Sequence, residues 1–167
     1  VDDLKRTGKT LGATMNDVFL AGLAEATHRY HARHGSTIET TNSSFVLSTR
    51  TDGKVGGNAF TPVPVRLPAG NMKPQKRLAT VSAMLAEAKE EAQRTGGMIG
   101  VSGIANLLPI SVVTRAARSA ASRIDFATSN LRGAPFELYV SGAKVLATVA
   151  MGPVAGTGAN ITAMSYD

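Results

Sequence analysis

Three histidines and two polar pairs carry most of the chemistry this sequence offers. His28, His31 and His34 recur in steps of three. Metal-binding helices usually present two histidines four apart, supported by a third ligand and by hydrogen bonds behind the ligands. Here no two histidines are four apart, and no carboxylate lies among them. Three residues turn a helix by only ~300°, so the three rings drift off any common face. They read as a solvated helix end, and no metal site is expected. Cysteine is absent, which removes thiolate zinc sites, disulfides and a cysteine nucleophile. A GxSxG elbow is also absent. By itself the chain is poorly equipped for nucleophilic catalysis.

The polar pairs are more informative. Asn16-Asp17 sits beside the apolar Met15, Val18 and Phe19. Asp17 stands three residues after Thr14, as in a capping box, while Asn16 is free to face a cleft. Ser129-Asn130 closes a β-like run just before Gly133. Polar groups at a strand end commonly line a site, and plain turn chemistry accounts for them equally well. The candidate site residues are therefore Asn16, Asp17, Ser129, Asn130 and Gly133.

The elements that must position these residues follow from periodicity. Residues 14–34 read as a helix, with Met15, Val18, Phe19, Leu23, Ala26 and Tyr30 at helical spacing. Gly22 on that face marks a close approach by a neighbour, and Gly35 is the expected stop. Ser44 to Thr49 and Thr61 to Leu67 read as strands about an Asp52-Gly53 turn. Pro62 and Pro64 confine the second of them to a sheet edge. Pro74 opens a helix to about Arg94 with Leu78, Val81, Leu85, Ala88 and Ala92 inward, and Lys76, Arg77, Glu87, Glu90 and Glu91 largely away from that face. Pro109 opens another to about Arg123, preceded by a short helical turn at 103–108. Strands follow at Phe126 to Asn130, Phe136 to Val140, Lys144 to Met151 and Asn160 to Tyr166. The alternation gives an α/β fold, a mixed sheet flanked by helices, in one domain spanning residues 1–167.

Composition narrows the function classes. The 167 residues are 43% hydrophobic, enough for a core. Lys and Arg number 18 against 12 Asp and Glu, a net +6, which suits an anionic ligand or surface without choosing one. Aromatics are 5%, too few for base-stacking surfaces, so no nucleic-acid partner is expected. No Walker A loop or strand–GxGxxG–helix unit is present among the glycine-rich stretches at Gly56-Gly57, Gly96 to Gly100 and Gly152 to Gly158, so no bound nucleotide cofactor is expected. No apolar run approaches ~20 residues, and the opening VDDLKRTGKT has no apolar signal core. A cytoplasmic location is expected. The chain opens without Met and closes inside a strand, so the expectation is a piece of a larger protein.

Several segments, in order, resemble the bacterial wax ester synthase/diacylglycerol acyltransferase family. Gly12-Ala13-Thr14-Met15-Asn16-Asp17-Val18-Phe19-Leu20-Ala21 is similar to that family's GATvNDVvLA helix. Gly57-Asn58-Ala59-Phe60 with Val65-Arg66-Leu67-Pro68 resembles its GN-x-F and v-x-LP stretch. Ser129-Asn130-Leu131-Arg132-Gly133-Ala134-Pro135 resembles its SNvpGPp turn, with Leu131-Arg132 in place of Val-Pro. Gly142-Ala143-Lys144-Val145, Gly152-Pro153 and Gly158-Ala159-Asn160-Ile161-Thr162 follow its closing pattern, with Ala159 where Leu is common. The resemblance implies the C-terminal domain of a two-domain, chloramphenicol acetyltransferase-like protein. It implies transfer of a fatty acyl group from acyl-CoA to a diacylglycerol or long-chain alcohol. The catalytic histidine, in an HHxxxDG motif, is expected in an N-terminal domain, so no catalytic residue is expected here. The implied partners are that domain, acyl-CoA and the lipid alcohol, with peripheral contact to a membrane or lipid droplet. No permanently bound cofactor is implied. The alternative from another class is a non-catalytic acyl-binding or scaffold module of the same fold.

Overall fold

A computed structural model describes residues 2–48, 60–94, 108–152 and 156–165. The helices are α1 (Asp2–Thr10), α2 (Met15–Arg33), α3 (Pro74–Arg94) and α4 (Ile110–Ala121). The strands are β1 (Thr40–Ser48), β2 (Phe60–Pro68), β3 (Phe126–Arg132), β4 (Tyr139–Val140), β5 (Ala143–Lys144) and β6 (Ala159–Ser165). One sheet runs in the order β2-β1-β3-β6, and β4 pairs with β5 separately. β1 and β2 are antiparallel, whereas β1, β3 and β6 are parallel. This is the mixed sheet with helices that the sequence predicts.

Helices α2 and α3 cover one face of the sheet. Leu20, Ala21 and Ala24 of α2 and Val81 and Leu85 of α3 meet Phe45, Val63, Val65, Leu67 and Phe126 from three strands. Each large side chain buried here contributes about 1.5–3 kcal/mol. α2 begins at a complete capping box: Asp17 N–H donates to Thr14 Oγ1 at 3.3 Å, and Thr14 N–H donates to Asp17 Oδ2 at 2.8 Å. It ends at Gly35, where φ is +70°. Ser36 N–H reaches the His31 carbonyl and Gly35 N–H the Ala32 carbonyl, a Schellman closure that favours glycine. β2 lies at the sheet edge, which is why it tolerates Pro62 and Pro64.

The opposite sheet face is open among the described residues. Strand alternation puts Val46, Pro62, Pro64, Arg66 and Leu131 on it, and all are exposed. The β1–β3 seam is also short. β1 matches β2 along its full length and β3 matches β6 over seven positions, but β1 meets β3 only at Ser43–Phe126 and Ser44–Ala127. Polar side chains reinforce that seam. Ser43 Oγ donates to the Phe126 carbonyl at 3.0 Å and Thr128 Oγ1 to the Ser44 carbonyl at 2.9 Å. Asp125 Oδ2 accepts from Thr41 Oγ1 and Asn42 N–H, both at 2.8 Å. The Asp125 carbonyl accepts from Ala159 N–H at 3.1 Å. It also lies 2.7 Å from where a Cβ on Gly158 would stand, so glycine is required there.

The structure corrects six sequence readings. α2 turns Leu20, Ala21 and Ala24 into the core, whereas Met15, Val18 and Phe19 of the expected row are only half-buried and Ala26 and Tyr30 are exposed. Arg77 is not turned outward: it is 1% exposed and shares a stripe with Val81 and Leu85. Gly22 meets no neighbour within 4 Å of an added Cβ. β1 starts at Thr40 rather than Ser44, because Thr41 and Ser43 bury hydroxyls that have partners. The strand expected at Phe136 to Val140 is a ladder only at Tyr139–Val140, and that at Lys144 to Met151 only at Ala143–Lys144. Leu146, Val149 and Met151 are more than four-fifths exposed, so these strand-forming residues have no sheet to join within the described chain. Helix α1, unheralded by any apolar periodicity, precedes α2 and buries Gly8. The Asp52-Gly53 turn, the Gly56-Gly57 and Gly96 to Gly100 stretches, residues 103–107, Pro153 and Tyr166-Asp167 lie outside the described residues.

Candidate functional site

Connectivity brings two of the predicted residues to one end of the fold. α2 passes to β1 through residues 34–39, so the two run in opposite directions. Arg77 ties the far end. Its guanidinium donates to Glu25 Oε2 in α2 at 2.7 Å, to the Gly70 carbonyl at 3.0 Å and to the Pro68 carbonyl. Gly70 N–H in turn bonds the Glu39 carbonyl just before β1. From Glu25, the rise of ~1.5 Å per residue carries α2 back toward the C-terminal end of β1. Asn16 stands at that end, half-buried, in the first turn. Parallel β3 delivers Asn130 to the same end. In open α/β sheets the carboxyl ends of the parallel strands are where ligands bind.

Ser129 and Asn130 do not act as one surface. Strand alternation sends them to opposite faces. Asn130 follows Phe126 and Thr128 on the helix-covered side and is exposed because the helices no longer cover it there. Ser129 follows Ala127 on the open side and is half-buried. Both sit beyond the point where β1 and β3 stop pairing, so this half of β3 is laddered to β6 alone. Neither side chain, nor that of Asn16, has a hydrogen-bond partner among the described residues. Gly133 directly follows β3, half-buried, without the positive φ that would demand glycine. Asp17 is buried and occupied as a cap through Oδ2, while its Oδ1 is buried without a partner.

The electrostatics of the frame are local. Arg29 Nε donates to Glu25 Oε1 at 2.7 Å and holds the Glu25 carboxyl below the usual carboxylate range. Burial opposes this and Arg77 adds to it. Glu137 is held low by the Lys144 ammonium and the Tyr139 hydroxyl. His31 Nδ1 lies 2.9 Å from Ser36 Oγ, and Tyr30 packs edge-on to His31, so the histidines serve the helix end. The sequence reading missed Thr41, Ser43, Asp125 and Thr128, which tie β1 to β3. Their signal was small polar residues alternating in step with Phe45 and Phe126.

The fold is an α/β half: a mixed sheet with helices on one face and, at its carboxyl end, amides without a partner among the described residues. The chain belongs to the family of the WS/DGAT C-terminal domain, which matches residues 56–167. A Mycobacterium tuberculosis (strain CDC 1551 / Oshkosh) protein named for diacylglycerol O-acyltransferase activity is 30% identical, over 98% of this chain and 33% of its own length. A Mycobacterium bovis protein with a similar name is 29% identical, over 99% of this chain and 36% of its own length. The wax ester synthase/diacylglycerol acyltransferase from Marinobacter aquaeolei VT8 superposes with TM-score 0.68 at 19% identity, covering all of this chain and 38% of that one. The chain thus spans about a third of the length of the relatives it matches.

Proposed function

We propose that residues 1–167 are the C-terminal domain of an O-acyltransferase that moves a fatty acyl group from acyl-CoA to a diacylglycerol or long-chain alcohol. Family membership over residues 56–167 carries this reading. The names of the relatives supply the reaction, and their threefold greater length supplies room for a catalytic domain. In this reading the partner domain holds a histidine base. It takes the proton of the alcohol hydroxyl as that oxygen attacks the thioester carbonyl. Collapse of the tetrahedral intermediate expels the CoA thiolate, which takes up a proton. The oxyanion requires hydrogen-bond donors, and the unengaged amides of Asn16 and Asn130 are the available ones. Ser129, on the other face, lines the wall with Gly133, and Asp17 holds the helix end that aims Asn16. Acyl-CoA is a substrate and not a resident cofactor. The lipid product favours work at a membrane or lipid-droplet surface.

A packing argument supports the partner domain. Parallel strands are normally covered on both faces, yet the face bearing Val46 and Leu131 is bare among the described residues. The test is thiol release from palmitoyl-CoA with diacylglycerol or hexadecanol as acceptor. The full-length protein should turn over and the 167-residue chain should not. A full-length protein that binds acyl-CoA without turnover on either acceptor means a binding module instead.

A further inference from the structure

Helix α4 stands apart from the fold that has been described. It is the only described helix with no buried residue, and it is not among the elements that build the core. At ~100° per residue, Ile110, Val112, Val113, Ala116, Ala117 and Ala120 fall on one half of its surface. Ser111, Thr114, Arg115, Arg118 and Ser119 fall on the other. Most of the apolar half is open: Val113 is half-buried, but Ile110 is 80% exposed and Val112 49%, and Leu108 just before the helix is 47% exposed. The only charges on the polar half are cationic. No acidic residue occurs between Glu91 and Asp125. Arg115, Arg118 and the following Arg123 form no ion pair with any described residue.

A water-facing helix without a partner would normally interleave both charge signs. A helix buried against protein would normally pair its arginines. α4 does neither. Apolar residues over half the cylinder, flanked by unpaired cations, match the boundary between acyl chains and anionic headgroups. No described helix is long and apolar enough to cross a membrane, so the fit is to a surface. We infer that α4 docks this protein on an anionic phospholipid surface, with Ile110 and Val112 entering the acyl boundary and Arg115, Arg118 and Arg123 at the headgroups. The inference rests on the lipid-acyltransferase reading only for its purpose, and soluble short-chain alcohols test that reading separately.

The experiment is vesicle flotation of the full-length protein, using phosphatidylcholine alone and phosphatidylcholine with about one-third phosphatidylglycerol. Hydrogen exchange over residues 110–121 is followed in parallel. The protein should float with the anionic vesicles, should float much less with the neutral ones, and should be released by high salt. The amides of 110–121 should gain protection only with vesicles. Arg115→Glu with Arg118→Glu should weaken anionic binding at least about tenfold and leave turnover of a soluble alcohol unchanged. Arg115→Lys with Arg118→Lys should retain binding. Equal flotation with both vesicle types, or a charge-reversed protein that binds like the parent, overturns the inference. So does full protection of 110–121 without vesicles, because the helix is then covered by the protein itself.

Discussion

At the scale of single residues, Asn16 and Asp17 are adjacent but do different work. Asp17 closes a capping box and is buried, so Asp17→Ala should cost about 1 kcal/mol or somewhat more. The Asn16 side chain has no hydrogen-bond partner among the described residues and is half-buried, which is what the proposed donor role requires. In full-length protein, Asn16→Ala should lower turnover on the order of hundreds-fold, the usual loss for one oxyanion donor, while melting near the parent temperature. An early melt in proportion to the lost activity would make Asn16 structural. Arg77 is the opposite case, a buried cation with Glu25, Pro68 and Gly70 around it and an unpartnered Nε. Arg77→Ala should destabilise by about 3–5 kcal/mol in urea titrations, since it removes one of Glu25's two cationic partners, leaves the Pro68 and Gly70 carbonyls unsatisfied and empties a buried position. Because Glu25 is held low in the folded state, its contribution is present above the ordinary glutamate value and is lost as pH falls through the lowered, folded one. The stability gap between parent and Glu25→Gln should therefore close in acid. A gap unchanged between pH 7 and pH 3 would mean that the Arg29 and Arg77 contacts are not carrying it.

At the scale of elements, Asp125 is a junction where three parallel strands begin. Asp125→Ala frees Thr41 Oγ1 and Asn42 N–H together, so a loss of about 2–3 kcal/mol is expected, read as a lowered denaturation midpoint. An unchanged midpoint would show that water serves those donors equally well. The same elements show what was legible beforehand. α2 could be read as a helix from Thr14 and Asp17 at its start and Gly35 at its end, but its inward face could not, since the expected apolar row is not the buried one. β2 could be placed at an edge because proline cannot donate to an inner ladder. α3 was legible as a helix but its buried arginine was not. Composition says that arginine faces water, yet position 77 lies four residues before Val81 on the inward stripe. α1 was illegible because it stands on charge: acidic residues in its first turn, Lys9 in its last, and Asp2–Lys5 and Asp3–Arg6 pairs along it. The run from Lys144 to Met151 reads as a strand, but a ladder needs a second strand, and only Ala143–Lys144 finds one among the described residues. Within the site, residue types and the strand end were readable, whereas the opposite facing of Ser129 and Asn130 follows from register.

At the scale of the whole molecule, the bare sheet face and the exposed run at Leu146, Val149 and Met151 set how the isolated chain behaves. Purified alone, it should bind a hydrophobic dye and self-associate, and adding the missing portion should suppress both. A monodisperse, dye-free monomer would count against a partner domain on that face. The short β1–β3 seam has a further consequence. Among the described residues the sheet divides there into a β1–β2 pair and a β3–β6 pair, joined by two ladder positions, the Asp125 bonds, a few hydroxyls and Phe126 in the shared core. Native-state opening follows the weakest coupling between such units. Amides of β3 and β6 should therefore exchange together, at a lower opening free energy than those of β1 and α3. A sheet that opens first along this seam parts like a book, each leaf keeping its own ladder.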